Sequence, residues 1–157
     1  MSYRISFLVG CLGFVVACGG RDPEGLGPNY ERYLSALKAK QADEAIRFFY
    51  EAYLDAMRQK DPGRVARFFR PDEQAEMKNT LRMGFEFVKL VESVEGKITE
   101  LRNLGSRALL RTTESVVYRF RDRTHPDRRD RVRQLRFLDG HWYFEAPDLG
   151  KARLPKR

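Results

Sequence analysis

Glu114 is the residue with the most chemistry to offer. It lies in Arg107–Arg121, where Ala108, Leu110, Thr112, Glu114, Val116, Tyr118 and Phe120 alternate with Arg107, Leu109, Arg111, Thr113, Ser115, Val117, Arg119 and Arg121. That period of two is a half-buried strand with its even positions turned inward. Arg133, on the next strand, falls on the same face. A carboxylate held among apolar side chains can have a raised pKa and serve as a general base. The plainer reading is that Glu114 and Arg133 form a structural ion pair. Such a pair adds little net stability while both members are present, yet losing one member is costly.

Tyr50, Tyr53, Tyr118 and Trp142 could add a pocket lining that is apolar in body and polar at the tip. Core packing is the plainer account of them. The two histidines do not extend the site. His125 reads as part of a turn and His141 as outward-facing. No metal-ligand spacing, Ser/His/Asp set, phosphate loop or dinucleotide glycine pattern occurs. The reading therefore calls for no cofactor, no metal and no catalytic set beyond the single candidate Glu114.

A meander must position these groups. Thr124-His125-Pro126-Asp127 reads as a turn, after which the chain returns as Arg128–Leu138. That turn would set Arg121 against Asp130, Asp122 against Arg129, Tyr118 against Arg133, Val116 against Leu135 and Glu114 against Phe137. Asp139-Gly140 is the sharpest local signal, because a two-residue hairpin wants positive φ at both central positions. It pairs Phe137 with Trp142, Leu135 with Phe144, Arg136 with Tyr143 and Leu138 with His141. Upstream, Asn103-Leu104-Gly105-Ser106 returns a strand of about Gly96–Arg102. Ile98 and Leu101 can both face inward there only across a bulge.

Helices precede the strands. Tyr30, Tyr33, Leu34 and Leu37 recur at helical spacing, with Asn29 as a possible cap. Ala42, Ala45, Ile46, Phe49, Tyr50, Tyr53, Leu54 and Met57 make one stripe on a helix of about Gln41–Lys60. Asp61-Pro62-Gly63 opens a short helix with Asp61 as N-cap, and Pro71 ends it. A further helical stretch from Pro71-Asp72-Glu73 carries Met77, Leu81, Phe85, Val88 and Leu90, reaching about Leu90–Glu92. Helices followed by an antiparallel meander give an α+β fold with the helices on one face of a curved sheet.

The Ala42–Met57 helix, the Asp61–Phe69 helix, the long Arg107–Arg121 strand and the Asp139–Phe144 ending resemble the cone-shaped superfamily of nuclear transport factor 2 and ketosteroid isomerase. The likeness covers roughly Gln41–Pro147 and implies a curved sheet around a pocket closed by the long helix. Its members include isomerases, dehydratases and domains that only bind, so the resemblance selects no function.

The front of the chain is separate. Arg4 is the only charge in Met1–Ala17, and Ile5–Ala17 is an apolar or small-residue run. It is shorter than the roughly 20 residues that span a bilayer and fits a signal-peptide core. Val15-Val16-Ala17-Cys18-Gly19 resembles a bacterial lipobox, which implies cleavage before Cys18 and acylation of that cysteine. The alternative Leu8-Val9-Gly10-Cys11 would leave Leu12–Ala17 unexplained. Gly19–Pro28 reads as a tether. The expected division is a signal peptide at 1–17, a lipidated and partly helical tether at 18–40, the α+β domain at 41–147 and a basic tail at 148–157. Cys11 would leave with the leader and Cys18 would be acylated, so the mature domain would hold neither a free thiol nor a disulfide.

The net charge is +8, and +7 without Arg4. Arginines gather in Arg119–Arg136. Export argues against nucleic acid as the partner of this basic surface. The reading is a lipid-anchored binding or assembly module in the bacterial cell envelope, facing the periplasm, with the outer membrane favoured. Its partners would be the membrane through acylated Cys18, together with an envelope protein or a small apolar ligand. Two rivals stand: an isomerase or lyase using Glu114, and a subunit of an envelope complex docking through its arginine-rich sheet face.

Overall fold

The computed structural model describes residues 25–87, 90–120 and 123–146. The leader, Cys18, the start of the tether, Val88, Arg121, Asp122 and the basic tail lie outside them. Four helices come first: α1 (Pro28–Lys38), α2 (Ala42–Gln59), α3 (Pro62–Ala66) and α4 (Gln74–Phe87). Four strands follow: β1 (Leu90–Asn103), β2 (Arg107–Phe120), β3 (Arg123–Leu138) and β4 (His141–Phe144). The strands form one antiparallel meander in the order β1-β2-β3-β4.

The helix starts follow from local chemistry. Gly27, at φ 100°, caps α1, and Pro28 takes the first turn, where its missing N–H costs nothing. Asn29 is therefore not the cap; its side-chain amide donates to Asp55 Oδ2 at 2.8 Å. Asp61 caps α3 as expected, with Oδ1 accepting from the Gly63 and Arg64 amides at 2.8 and 3.1 Å. Most of the α2 stripe is buried as its spacing requires: Ala45, Ile46, Phe49, Tyr50, Tyr53 and Leu54 lie in the core, Met57 is half-buried against it, and Ala42, in the first turn, is exposed. Tyr33 and Ala36 of α1 are buried with them. The last helix ends at Phe87, earlier than the sequence suggests, and Leu90–Glu92 belongs to β1 instead.

β1 is longer than its expected Gly96–Arg102 span. It carries register shifts between Val91 and Ser93 and between Ile98 and Glu100. The second is the bulge that Ile98 and Leu101 require, and both pack against the core. The Asp139-Gly140 hairpin forms with φ of 49° and 83°, and all four expected β3–β4 pairs are present.

The β2–β3 register differs from expectation by eight residues. Ala108 faces Leu135, Leu110 faces Arg133, Thr112 faces Arg131 and Glu114 faces Arg129. The expected pairs of Glu114 with Phe137, Val116 with Leu135 and Tyr118 with Arg133 do not form; those of Arg121 and Asp122 lie outside the described residues. Eight is even, so every side chain keeps the face its alternation assigned.

Thr124–Asp127 is not a turn but part of β3, with Pro126 opposite Val117. The turn signal loses because β4 pairs only Leu135–Leu138, leaving no described strand beside Pro126 on its outer side. A proline whose missing N–H points away from the sheet breaks no ladder bond. The observed register also seats Ala108 and Leu135 together at 1% exposure under the helices and brings arginines, not Phe137, up to Glu114.

Candidate functional site

The site forms where α2 crosses the concave face of β2 and β3. Glu114 projects from β2 at 9% exposure. Arg133 reaches it along the inner face from the row of Leu110, donating from Nε to Oε1 at 2.7 Å and from Nη2 to Oε2 at 2.9 Å. This fork matches a carboxylate with two parallel bonds. Thr112 Oγ1, two residues along the same face, donates to Oε1 at 3.1 Å. The Tyr50 hydroxyl of α2 donates to Oε1 at 3.2 Å. Arg131 Nε stands 3.3 Å from Oε2.

Glu114 thus faces five donor groups, against roughly four lone-pair sites on a carboxylate. Burial works to raise its pKa. The Arg133 hydrogen bonds and charge, then Thr112 and Arg131, more than reverse this and hold the carboxyl below its ordinary value. A general base needs a free lone pair and a pKa near working pH; Glu114 has neither.

Arg133 is enclosed as well. Its guanidinium lies over the rings of Tyr53 at 5.0 Å and Phe144 at 5.3 Å. Nη2 also donates to the Tyr53 hydroxyl at 3.3 Å. Burial opposes its charge, but Tyr53 and Glu114 outweigh burial and raise its pKa. Both tyrosine hydroxyls are pushed up, chiefly by burial, so they stay protonated as donors or neutral partners. Around them Phe49, Tyr53, Phe68 and Phe144 pack ring against ring, with centroids 4.9–5.8 Å apart. The interior of the cone at this level is filled with side chains.

Tyr50, Tyr53, Glu114 and Arg133 therefore meet. Tyr118 and Trp142 do not join them. Tyr118 stacks on His125 at 5.4 Å towards the far end of the hairpin. Trp142 packs on Phe137, and its backbone N–H donates to the Tyr33 hydroxyl at 2.8 Å. The sequence reading overlooked Thr112, Arg131 and Gly96. Alternation already placed Thr112 and Arg131 two residues from Glu114 and Arg133 on the inner face. Gly96, inside a strand and opposite Glu114, carried the usual signal of a close approach by another group. A Cβ there would collide with the Tyr50 hydroxyl and sit 2.9 Å from Leu54 Cδ1.

No protein-family model matches the sequence, and no curated protein matches it. Solved structures do. A domain from Nostoc punctiforme with a cystatin-like fold aligns at TM-score 0.52 and 20% identity, over 65% of this chain and 72% of that one. A protein from Novosphingobium aromaticivorans, provisionally named a scytalone dehydratase, aligns at 0.51 and 14%, over 71% and 85%. A SEC-C motif-containing protein from Rhodopseudomonas palustris aligns at 0.50 and 18%, over 74% and 88%. These likenesses concern the fold alone: α+β, with helices on a curved four-stranded antiparallel sheet.

Proposed function

We propose that this protein is a binding or assembly module of the bacterial cell envelope, anchored by acylated Cys18, and that its cone performs no catalysis. The observation that carries the non-catalytic reading is the saturation of Glu114. Its oxygens face Arg133, Thr112, Tyr50 and Arg131. A substrate would have to displace Arg133 to reach the carboxylate and would leave a buried cation behind.

The charge of the hairpin sequence supports binding instead. Arg107–Leu138 holds ten arginines, no lysine and four acids, a net +6 within a chain of net +8. Arginine's planar fork suits carboxylate and phosphate partners. The front of the chain supports the anchor through its apolar run and the Val15–Gly19 pattern. Acylation of the thiol and the new amino group would hold the domain firmly, where one chain would be marginal.

Intact mass of the protein from native membranes tests the anchor. The expected species starts at Cys18 and carries acyl chains; one starting at Met1 overturns it. Glu114→Gln tests the cone. The expected result is a less stable protein whose function follows its folded fraction. Complete loss of function at full folded abundance would count against the non-catalytic reading and favour the lyase or isomerase alternative.

A further inference from the structure

Strand β3 has an open edge, and its phase can be read from two hydrogen bonds. The Glu145 N–H donates to the Gln134 carbonyl at 2.9 Å, so Gln134 turns its backbone towards the β4 side. The Phe137 N–H donates to the Ser106 carbonyl at 2.8 Å, so Phe137 turns towards β2. Alternation along an antiparallel strand then directs the backbone groups of Val132, Asp130 and Arg128 to the outside. β4 pairs Leu135–Leu138 and Glu145 extends this by the one bond to Gln134, and no described strand lies beside these three residues. The space next to Asp130–Gln134 is a groove of about 700 Å³ whose far wall is Arg70, Glu73, Glu145 and Ala146. Val132 is 64% exposed there.

The edge sequence Asp127-Arg128-Arg129-Asp130-Arg131 complements itself when run antiparallel about Arg129. On the outer face Arg128 meets Asp130 of the second copy, twice. On the inner face Asp127 meets Arg131, twice. Pro126 meets Val132. The outward-pointing backbone groups of Arg128 and Asp130 then face each other as a hydrogen-bonded pair. Arg129 meets itself on the axis, and each copy is already offset by its own Asp127 at 2.8 Å. Moving the axis to Asp130 sets Asp130 on itself and Arg129 on Arg131 twice. Moving it to Arg128 sets Arg128 on itself and Pro126 on Asp130. Opposite charges across a strand pair stabilise and like charges destabilise, so one register stands out. The chain's own basic tail holds one acid, Asp148, against four cations, and offers no alternating match to this edge.

We propose that two copies join β3 to β3 about Arg129, pairing Pro126–Val132 of each across a two-fold axis and parting beyond, where Glu145 and Phe144 already cover Gln134 and Leu135. This interface is isologous and closes on itself. It does not depend on the anchor or on the non-catalytic reading.

The test uses the full chain released from detergent micelles into native mass spectrometry over a concentration series. The wild type should dimerise. Arg128→Asp and Asp130→Arg should each weaken dimerisation by about tenfold, since each turns two attractive pairs into two repulsive ones. The double swap should restore it, and an equimolar mixture of the two single variants should form a mixed dimer. Asp130 also accepts a hydrogen bond from Thr113, so the mixture separates lost contact from lost folding. Arg129→Cys should form a disulfide with its own copy, because facing non-hydrogen-bonded residues lie about 4.5 Å apart; Arg123→Cys should not. A wild type that stays monomeric, or single variants that fail to pair when mixed, overturns the proposal. Trapping of a different polypeptide by Arg129→Cys also overturns it and assigns the edge to a foreign strand.

Discussion

The Tyr50 hydroxyl reaches Glu114 through the space that Gly96 leaves empty. Gly96 is the cross-strand partner of Glu114, and Tyr50 crosses above it to donate at 3.2 Å. Helix α2, strand β1 and strand β2 are locked at this one point by a missing side chain and a buried hydroxyl.

Gly96→Ala should therefore be destabilising although alanine suits a strand no worse than glycine. The added methyl meets the Tyr50 hydroxyl and Leu54, and overpacking of this kind costs about 1–3 kcal/mol. Combining it with Tyr50→Phe should recover part of the loss. Urea denaturation of the two variants and their combination gives the coupling directly.

Removing one member of the buried pair should cost more than removing both. Glu114→Gln keeps an acceptor for Tyr50 and Thr112 but leaves the Arg133 charge between Tyr53 and Phe144. A loss of about 3 kcal/mol is expected. Glu114→Gln with Arg133→Met should be distinctly more stable than Glu114→Gln alone. Equal losses would show that Arg133 finds water when its partner goes.

Acid should expose the same pair. Glu114 is held below its ordinary pKa of 4.5 when folded. The unfolded chain therefore takes up this proton first as pH falls, and the stability contributed by Glu114 is complete above about 4.5 and fades below it. The difference in unfolding free energy between wild type and Glu114→Gln should shrink from pH 7 to pH 3. A constant difference would mean that the carboxylate is not specially stabilised.

Asp61→Ala should loosen α3. It removes the acceptor for two backbone N–H groups, worth about 1 kcal/mol for an N-cap. Asp61→Asn should retain most of it. Thermal unfolding followed by circular dichroism distinguishes the two.

Much of this architecture was legible in the sequence because it rests on short-range rules. Asp139-Gly140 specified its hairpin and every pair in it. Asp61-Pro62 specified a cap. Alternation put Glu114, Arg133 and Leu135 on one face. The β2–β3 register was not legible, because Thr124–Asp127 has local turn chemistry that tertiary context overrides. Pro126 is harmless on an open edge, and nothing local reports which edge is open. The face survived that eight-residue error, so the ion pair could be foreseen while the cross-strand partners of both its members were misassigned. Tyr118 was lost to the site for the same reason: its row is shared with His125, not Arg133. The lipobox expectation rests on Met1–Gly19, outside the described residues.

The bond from the Trp142 amide to the Tyr33 hydroxyl, 109 positions apart, joins the opening helix to the closing strand. A growing chain has the helix at once but not the strand that seats it. Helix α1 can pack on α2 early, but its bond to the sheet must wait for β4. A ribosome-bound fragment stopped before Trp142 should remain more protease-sensitive in α1 than the released chain.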